Sequence, residues 1–154
     1  MHSWKAMTTM YKEVSIAAPR DFVWNAMKDI GALHTRLVRG FVVNTQLEGT
    51  TRIVTFRNGL IVREPIISID DRRYRFAWAA EGGPATHYNA VVELASLPDG
   101  CCVQWTTDFL PDDIEPTLSA MQDEALAAMK RTLEDAALAT TSKVSETLYP
   151  PRLA

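Results

Sequence analysis

IEPTLSAMQDEALAAMKRTLEDAALAT, residues 114–140, is the stretch whose reading decides the fold. Asp112 and Asp113 stand where helix-capping residues belong and Pro116 suits a first helical turn, so the spacing predicts a long helix from about Ile114 to Thr140. Leu118, Met121, Ala125, Leu126, Met129, Leu133 and Ala136 form one apolar stripe along it. Asp123, Glu124, Lys130, Arg131, Glu134 and Asp135 fall mostly on the opposite side. One face of this helix must therefore be buried, and the chain before it has to supply the cover.

That chain is built of strands. From Val38 to Phe109 no helical period outlasts one turn, and strand signals recur at Val38–Leu47, Arg52–Phe56, Leu60–Ile69, Tyr74–Ala80, His87–Ala95 and Cys102–Phe109. Between them lie Glu48-Gly49, Asn58-Gly59, Asp70-Asp71, Glu81-Gly82-Gly83-Pro84 and Pro98-Asp99-Gly100, all tolerant of turn dihedrals. Upstream, Tyr11–Ala18 alternates as a strand with one buried face and stops at Pro19. Phe22, Val23, Ala26, Met27 and Ile30 then recur at helical spacing until Gly31, and Ala32–Leu37 reads as a second helical turn with Leu33 and Leu37 inward. The order is α+β: a strand, two short helices, six strands and one long helix, expected as a single domain over 1–154 with a core at 11–140 and tails at 1–10 and 141–154.

Composition narrows the function. The apolar fraction of 47% and charged fraction of 23% are those of an ordinary globular chain, and no apolar run approaches the roughly 20 residues that span a bilayer. Met1–Met10 has neither a basic nor an apolar leader segment, which points to the cytoplasm. A net charge of −3 with interspersed signs offers nothing to a phosphate backbone, so nucleic acid is not an expected partner, and neither is membrane insertion. Cys101 and Cys102 are adjacent and would point to opposite faces of a strand, which makes them two thiols. His2, His34 and His87 are too scattered to form a metal site, and no cofactor is called for.

A strongly twisted seven-stranded antiparallel sheet has a concave face that one helix cannot fill, so a cavity is expected between them. Parity assigns its wall. Tyr74, Phe76 and Trp78 share one face of their strand, as do Tyr88, Ala90, Val92 and Leu94, and then Val103, Trp105, Thr107 and Phe109; these are the inner sets, with His87 outside. The hairpin at Asn58-Gly59 leaves two registers open. A two-residue turn puts Arg63 inward with Val54 and Phe56, whereas a three-residue loop puts Val62 and Glu64 there. Arg52 faces inward in both.

The residues also resemble a known family. Ala18-Pro19-Arg20-Asp21-Phe22-Val23-Trp24 with Asp29-Ile30-Gly31, then Thr51-Arg52-Ile53-Val54-Thr55, Asn58-Gly59, Arg63-Glu64, Ile69-Asp70-Asp71, Tyr88-Asn89-Ala90, Val103-Gln104-Trp105 and Leu126-Ala127-Ala128-Met129-Lys130 are similar to motifs of the START-like, or SRPBCC, superfamily, in particular its bacterial polyketide cyclase/dehydrase-type proteins. The resemblance runs from about Tyr11 to Glu134 and implies the helix-grip fold. Similarity to plant abscisic acid receptors from Thr51 to Ala90 implies that Val54, Phe56, Glu64, Phe76, Trp78, Tyr88 and Ala90 face the ligand, which favours Glu64 inward. The sequence departs from those receptors in its shorter Asn58-Gly59 loop and in Gly82-Gly83-Pro84-Ala85-Thr86. It departs from many bacterial relatives in carrying His34-Thr35-Arg36 where a Trp-x-Pro commonly stands, so one cavity wall is expected to differ.

Three function classes follow. The first is binding of an apolar small molecule, polyketide-, lipid- or aromatic-like, by Arg52, Val54, Phe56, Val62, Glu64, Phe76, Trp78, Tyr88, Ala90, Trp105, Met121, Ala125 and Met129. The second is a polyketide cyclase or dehydratase in the same cavity, with Arg52 as electrophile, Glu64 as base and Tyr88 as acid. Against it stands an internal Arg52–Glu64 ion pair that touches no substrate. The third is a protein-interaction module, and a homodimer through a sheet edge or the long helix is compatible with all three.

Overall fold

A computed structural model describes residues 7–148. Seven strands, β1 (Thr8–Ile16), β2 (Val42–Glu48), β3 (Thr51–Phe56), β4 (Ile61–Asp70), β5 (Arg75–Ala79), β6 (His87–Leu97) and β7 (Gly100–Leu110), form one antiparallel sheet in the order β1-β7-β6-β5-β4-β3-β2. Helix α1 (Arg20–Met27) and a π-helical turn at Leu33–Leu37 link β1 to β2, and a 3₁₀ turn at Asp112–Ile114 leads into the long helix α2 (Glu115–Leu148). This is the helix-grip arrangement that the sequence implied. Register breaks between Val42 and Asn44 in β2 and between Ile66 and Ser68 in β4 mark bulges, which bend strands and increase twist.

Several boundaries move. Strand β1 begins at Thr8, so the last residues of the expected N-terminal tail are paired: Thr8 opposite Phe109 and Met10 opposite Thr107, with Met10 packed on Phe109 and Leu118. Helix α1 ends at Met27 rather than Ile30, closed by the Lys28 amide on the Trp24 carbonyl. The second helical turn is a π turn, its Val38 amide donating to Leu33 O at 2.8 Å. Val38–Phe41 is not strand, because Gly40 takes φ 84° and the Phe41 and Val42 amides turn back to Val38 O. Helix α2 continues through 141–148, where a tail was expected; residues 1–6 and 149–154 lie outside the described residues.

Tyr74 is a correction of face as well as boundary. Instead of lining the inner face with Phe76 and Trp78, it sits in the β4–β5 turn at φ 51°, a costly conformation for an aromatic residue. Its surroundings hold it there. The phenol donates to Asp21 Oδ1 at 2.6 Å, the Arg20 guanidinium lies 3.9 Å above the ring, and Trp24 meets it edge-on. Trp24 Nε1 in turn donates to Asp71, so α1 is stapled to that turn. In the β6–β7 turn, at the same end of the sheet, Gly100 is required because a Cβ there would run into the Ile16 carbonyl.

Helix α2 lies over the sheet with Leu118, Gln122, Ala125, Leu126, Ala128, Met129, Thr132 and Leu133 buried. Its stripe is thus the expected one with Gln122, Ala128 and Thr132 added, and without Ala136, which is exposed. It is tied down near its start and again at its middle. Leu118 packs with Met10 and Phe109, while further along Lys130 Nζ donates to Ser15 O, Glu134 accepts from the Ala17 amide, and Thr132 Oγ1 accepts from the Arg39 amide.

Leu133 is fully buried, so Leu133→Ala is expected to cost about 2–5 kcal/mol. Ala136→Gln, on the exposed side of the same helix, is expected to stay within about 0.5 kcal/mol. Urea unfolding of the two variants checks the orientation of α2, and similar costs would contradict it.

Candidate functional site

Between α2 and the concave face of the sheet lies a cavity of about 130 Å³. The β3–β4 hairpin sets its polar corner. Its loop has three residues, Arg57-Asn58-Gly59, closed by the Phe56 amide on Leu60 O at 2.9 Å and by the Leu60 amide on Asn58 Oδ1. That loop pairs Arg52 with Glu64 and Val54 with Val62. The register left open by the sequence is therefore the one with Glu64 inward; Arg63 faces out and pairs with Glu48 at 2.8 Å.

Arg52 Nε donates to Glu64 Oε1 at 2.7 Å, and the two residues are only 4% and 8% exposed. The guanidinium lies 5.3 Å from the Phe76 ring centre and 5.8 Å from that of Trp78, within cation–π range of both. Trp78 continues to Trp105 at 5.6 Å. Of the residues expected at a ligand site, Arg52, Val54, Phe56, Val62, Glu64, Phe76, Trp78, Tyr88, Trp105, Met121, Ala125 and Met129 all line the cavity. Ala90 does not. It is fully buried, in register between Trp78 and Thr107.

The sequence reading missed two groups. The first is Gln122, a buried amide on the apolar face of α2 whose Nε2 donates to Thr107 Oγ1 at 2.8 Å and to the Tyr88 hydroxyl at 3.3 Å. Its signal was present: 118, 122, 125 and 129 share one helical face, and a glutamine among apolar neighbours asks for a partner. The second is the wall from the π turn and the segment after it, where Leu33 and Leu37, expected inward, are joined at the cavity by Val38 and Phe41, together with Leu60, Pro84 and Ala85. His34, Thr35 and Arg36 are not in that wall. His34 instead bonds Thr45 of β2 at 3.1 Å, and Arg36 pairs with Asp29.

Three buried polar atoms of cavity-lining residues have no protein hydrogen-bond partner: Arg52 Nη1, Trp105 Nε1 and Gln122 Oε1. Trp105 Nε1 is the least free of them, because it stands near enough to the Tyr88 oxygen to favour its ionised form. Burial, and then the Glu64 carboxylate, nevertheless push the Tyr88 phenol well above its ordinary pKa, against Thr107, Gln122 and Trp105. Tyr88 is thus a neutral phenol at any physiological pH. Away from the cavity, burial pushes the Cys101 thiol up to about 11, so it is not a nucleophile. Among the described residues no group of three or more His, Cys, Asp or Glu side chains could hold a metal ion, and no helix is long and apolar enough to cross a membrane.

The model of the family described as polyketide cyclase / dehydrase and lipid transport matches residues 7–138. The chain belongs to that family. Among curated proteins, sequence comparison finds no match. Solved structures share the fold at low identity. An uncharacterised protein from Bacillus thuringiensis superposes with a TM-score of 0.72 at 14% identity, covering 82% of this chain and 98% of that one. A point mutant of norcoclaurine synthase from Thalictrum flavum, in complex with a transition-state analogue, gives 0.70 at 19%, covering 91% and 99%. The same plant's enzyme in complex with dopamine and hydroxybenzaldehyde gives 0.67 at 21%, covering 86% and 87%.

The ion pair makes a sharp energetic test. Arg52→Met strands a buried carboxylate and is expected to cost about 3–5 kcal/mol, whereas Arg52→Met combined with Glu64→Leu replaces the pair by apolar volume and recovers most of that loss. A double-mutant cycle in urea measures the difference. Single-variant costs below about 1 kcal/mol, as for a solvated pair, would contradict the buried geometry.

Proposed function

We propose that the protein is a binder of a small apolar molecule, held in the cavity between α2 and the sheet with one polar end at Arg52. The observation that carries this reading is the coincidence of an aromatic-lined cavity with the unpartnered buried donor Arg52 Nη1 and acceptor Gln122 Oε1. A pocket with apolar walls and a few convergent polar groups is the usual make-up of a small-molecule site, and buried polar atoms in a finished protein core are nearly always paired. The family also supports it, since lipid transport is part of its description. The chain would act as one domain, and its free thiols Cys101 and Cys102 suit a cytoplasmic setting.

The cyclase or dehydratase reading has less behind it. Glu64 is occupied by Arg52 Nε, so it is a poor base, and the raised pKa of Tyr88 makes that phenol a reluctant acid. A cavity of about 130 Å³ is also small for an extended poly-keto chain, since an apolar cavity of roughly 150 Å³ takes a benzene.

Trp78 and Trp105 line the cavity and report its occupancy by fluorescence. Titration with indole or ethylbenzene is expected to change that emission saturably in the native protein. Ala125→Phe, which fills the space from the helix side, is expected to weaken binding at least tenfold while far-UV circular dichroism stays unchanged. Equal binding by the filled variant would place the ligand elsewhere, and no saturable binding of any apolar ring would end the proposal.

A further inference from the structure

The polar corner of the cavity has a net charge of zero. Arg52 brings one positive charge, and Glu64, 2.7 Å from its Nε, already balances it. Side-chain exposure is 5% for the arginine and 11% for the glutamate, so neither charge is diluted by solvent. What remains unmet is a hydrogen-bond donor, Arg52 Nη1, and not a charge.

This distinction selects the ligand. A carboxylate brought to Nη1 would gain the attraction of Arg52 but meet the repulsion of Glu64 on the same guanidinium, and it would still lose its own hydration. A carbonyl oxygen accepts the same hydrogen bond without adding a charge. The walls beside it are the rings of Phe76, Trp78 and Trp105, with Tyr88 kept as a neutral phenol, so the rest of the molecule is a ring or comparable apolar group. The volume is that of about one ring, and because the cavity is partly open to the surface a short substituent can extend beyond it.

Resting on the binding reading above, we infer that the site takes neutral, single-ring molecules bearing a carbonyl group, with the carbonyl oxygen accepting from Arg52 Nη1, and that it discriminates against the corresponding carboxylates. The Arg52–Glu64 pair is then a specificity device: Glu64 holds the guanidinium in place and cancels the charge that would otherwise attract anions.

Three probes of equal heavy-atom count test this: acetophenone, benzoate and isopropylbenzene, which differ in presenting a carbonyl, a carboxylate and no acceptor. Calorimetric titration at pH 7 is expected to rank acetophenone at least tenfold above both others. Glu64→Gln, which leaves Arg52 with an uncompensated charge, is expected to narrow or reverse the margin over benzoate. In the Arg52→Met/Glu64→Leu variant acetophenone and isopropylbenzene are expected to bind alike. If native protein binds isopropylbenzene and acetophenone equally, the cavity binds ligands but the carbonyl assignment is wrong. Tighter binding of benzoate would overturn the charge argument. Failure of all three probes would instead remove the binding reading on which the inference stands.

Discussion

The structure turns on one geometric constraint: a helix tied down at its start and at its middle cannot follow a bulged, twisted sheet. Leu118 is wedged with Met10 and Phe109 near one end of α2, and Lys130, Thr132 and Glu134 are bonded to Ser15, Arg39 and Ala17 further along. Between those ties the helix presents Gln122, Ala125 and Met129 to the sheet. Alanine is too short to close the distance, and dense interiors do not leave such gaps without consequence for stability. A larger residue at 125 would fill the space.

Given the cavity, electrostatics decides its character. A buried ion pair offers little net stability, because desolvating both charges offsets most of their attraction. Its value here is positional. The three-residue hairpin sets the register that puts Arg52 opposite Glu64, the carboxylate holds Nε, and the rings of Phe76 and Trp78 lie within cation–π range, while Nη1 has no partner. Across the cavity, Gln122 is oriented in the same way by Thr107 and Tyr88.

Most of the architecture was legible because it rests on periodicity and turn chemistry. The stripe of α2, the alternation in β6 and β7 and the Gly-containing turns all survive in the structure. What was not legible depended on local backbone choices. Tyr74 should share a face with Phe76 by parity, but a left-handed turn ahead of β5 takes it to Arg20 and Asp21 instead. Val38–Phe41 looks like strand in composition and is a turn around Gly40. At the site, Arg52 was readable from either register, while parity alone left Glu64 open; the family resemblance favoured it inward, and the three-residue loop puts it there. Gln122 escaped notice because a helical wheel marks apolar positions and passes over the polar one among them.

Xenon-pressurised crystals give the most direct measurement of the central claim, that an apolar cavity open to small ligands persists between helix and sheet. Xenon occupies apolar cavities of this size and scatters strongly. A single well-occupied xenon site among Val54, Phe76, Ala125 and Met129, with the Arg52–Glu64 contact intact, is the predicted result. Diffraction showing α2 collapsed onto the sheet with no xenon between them would contradict the account.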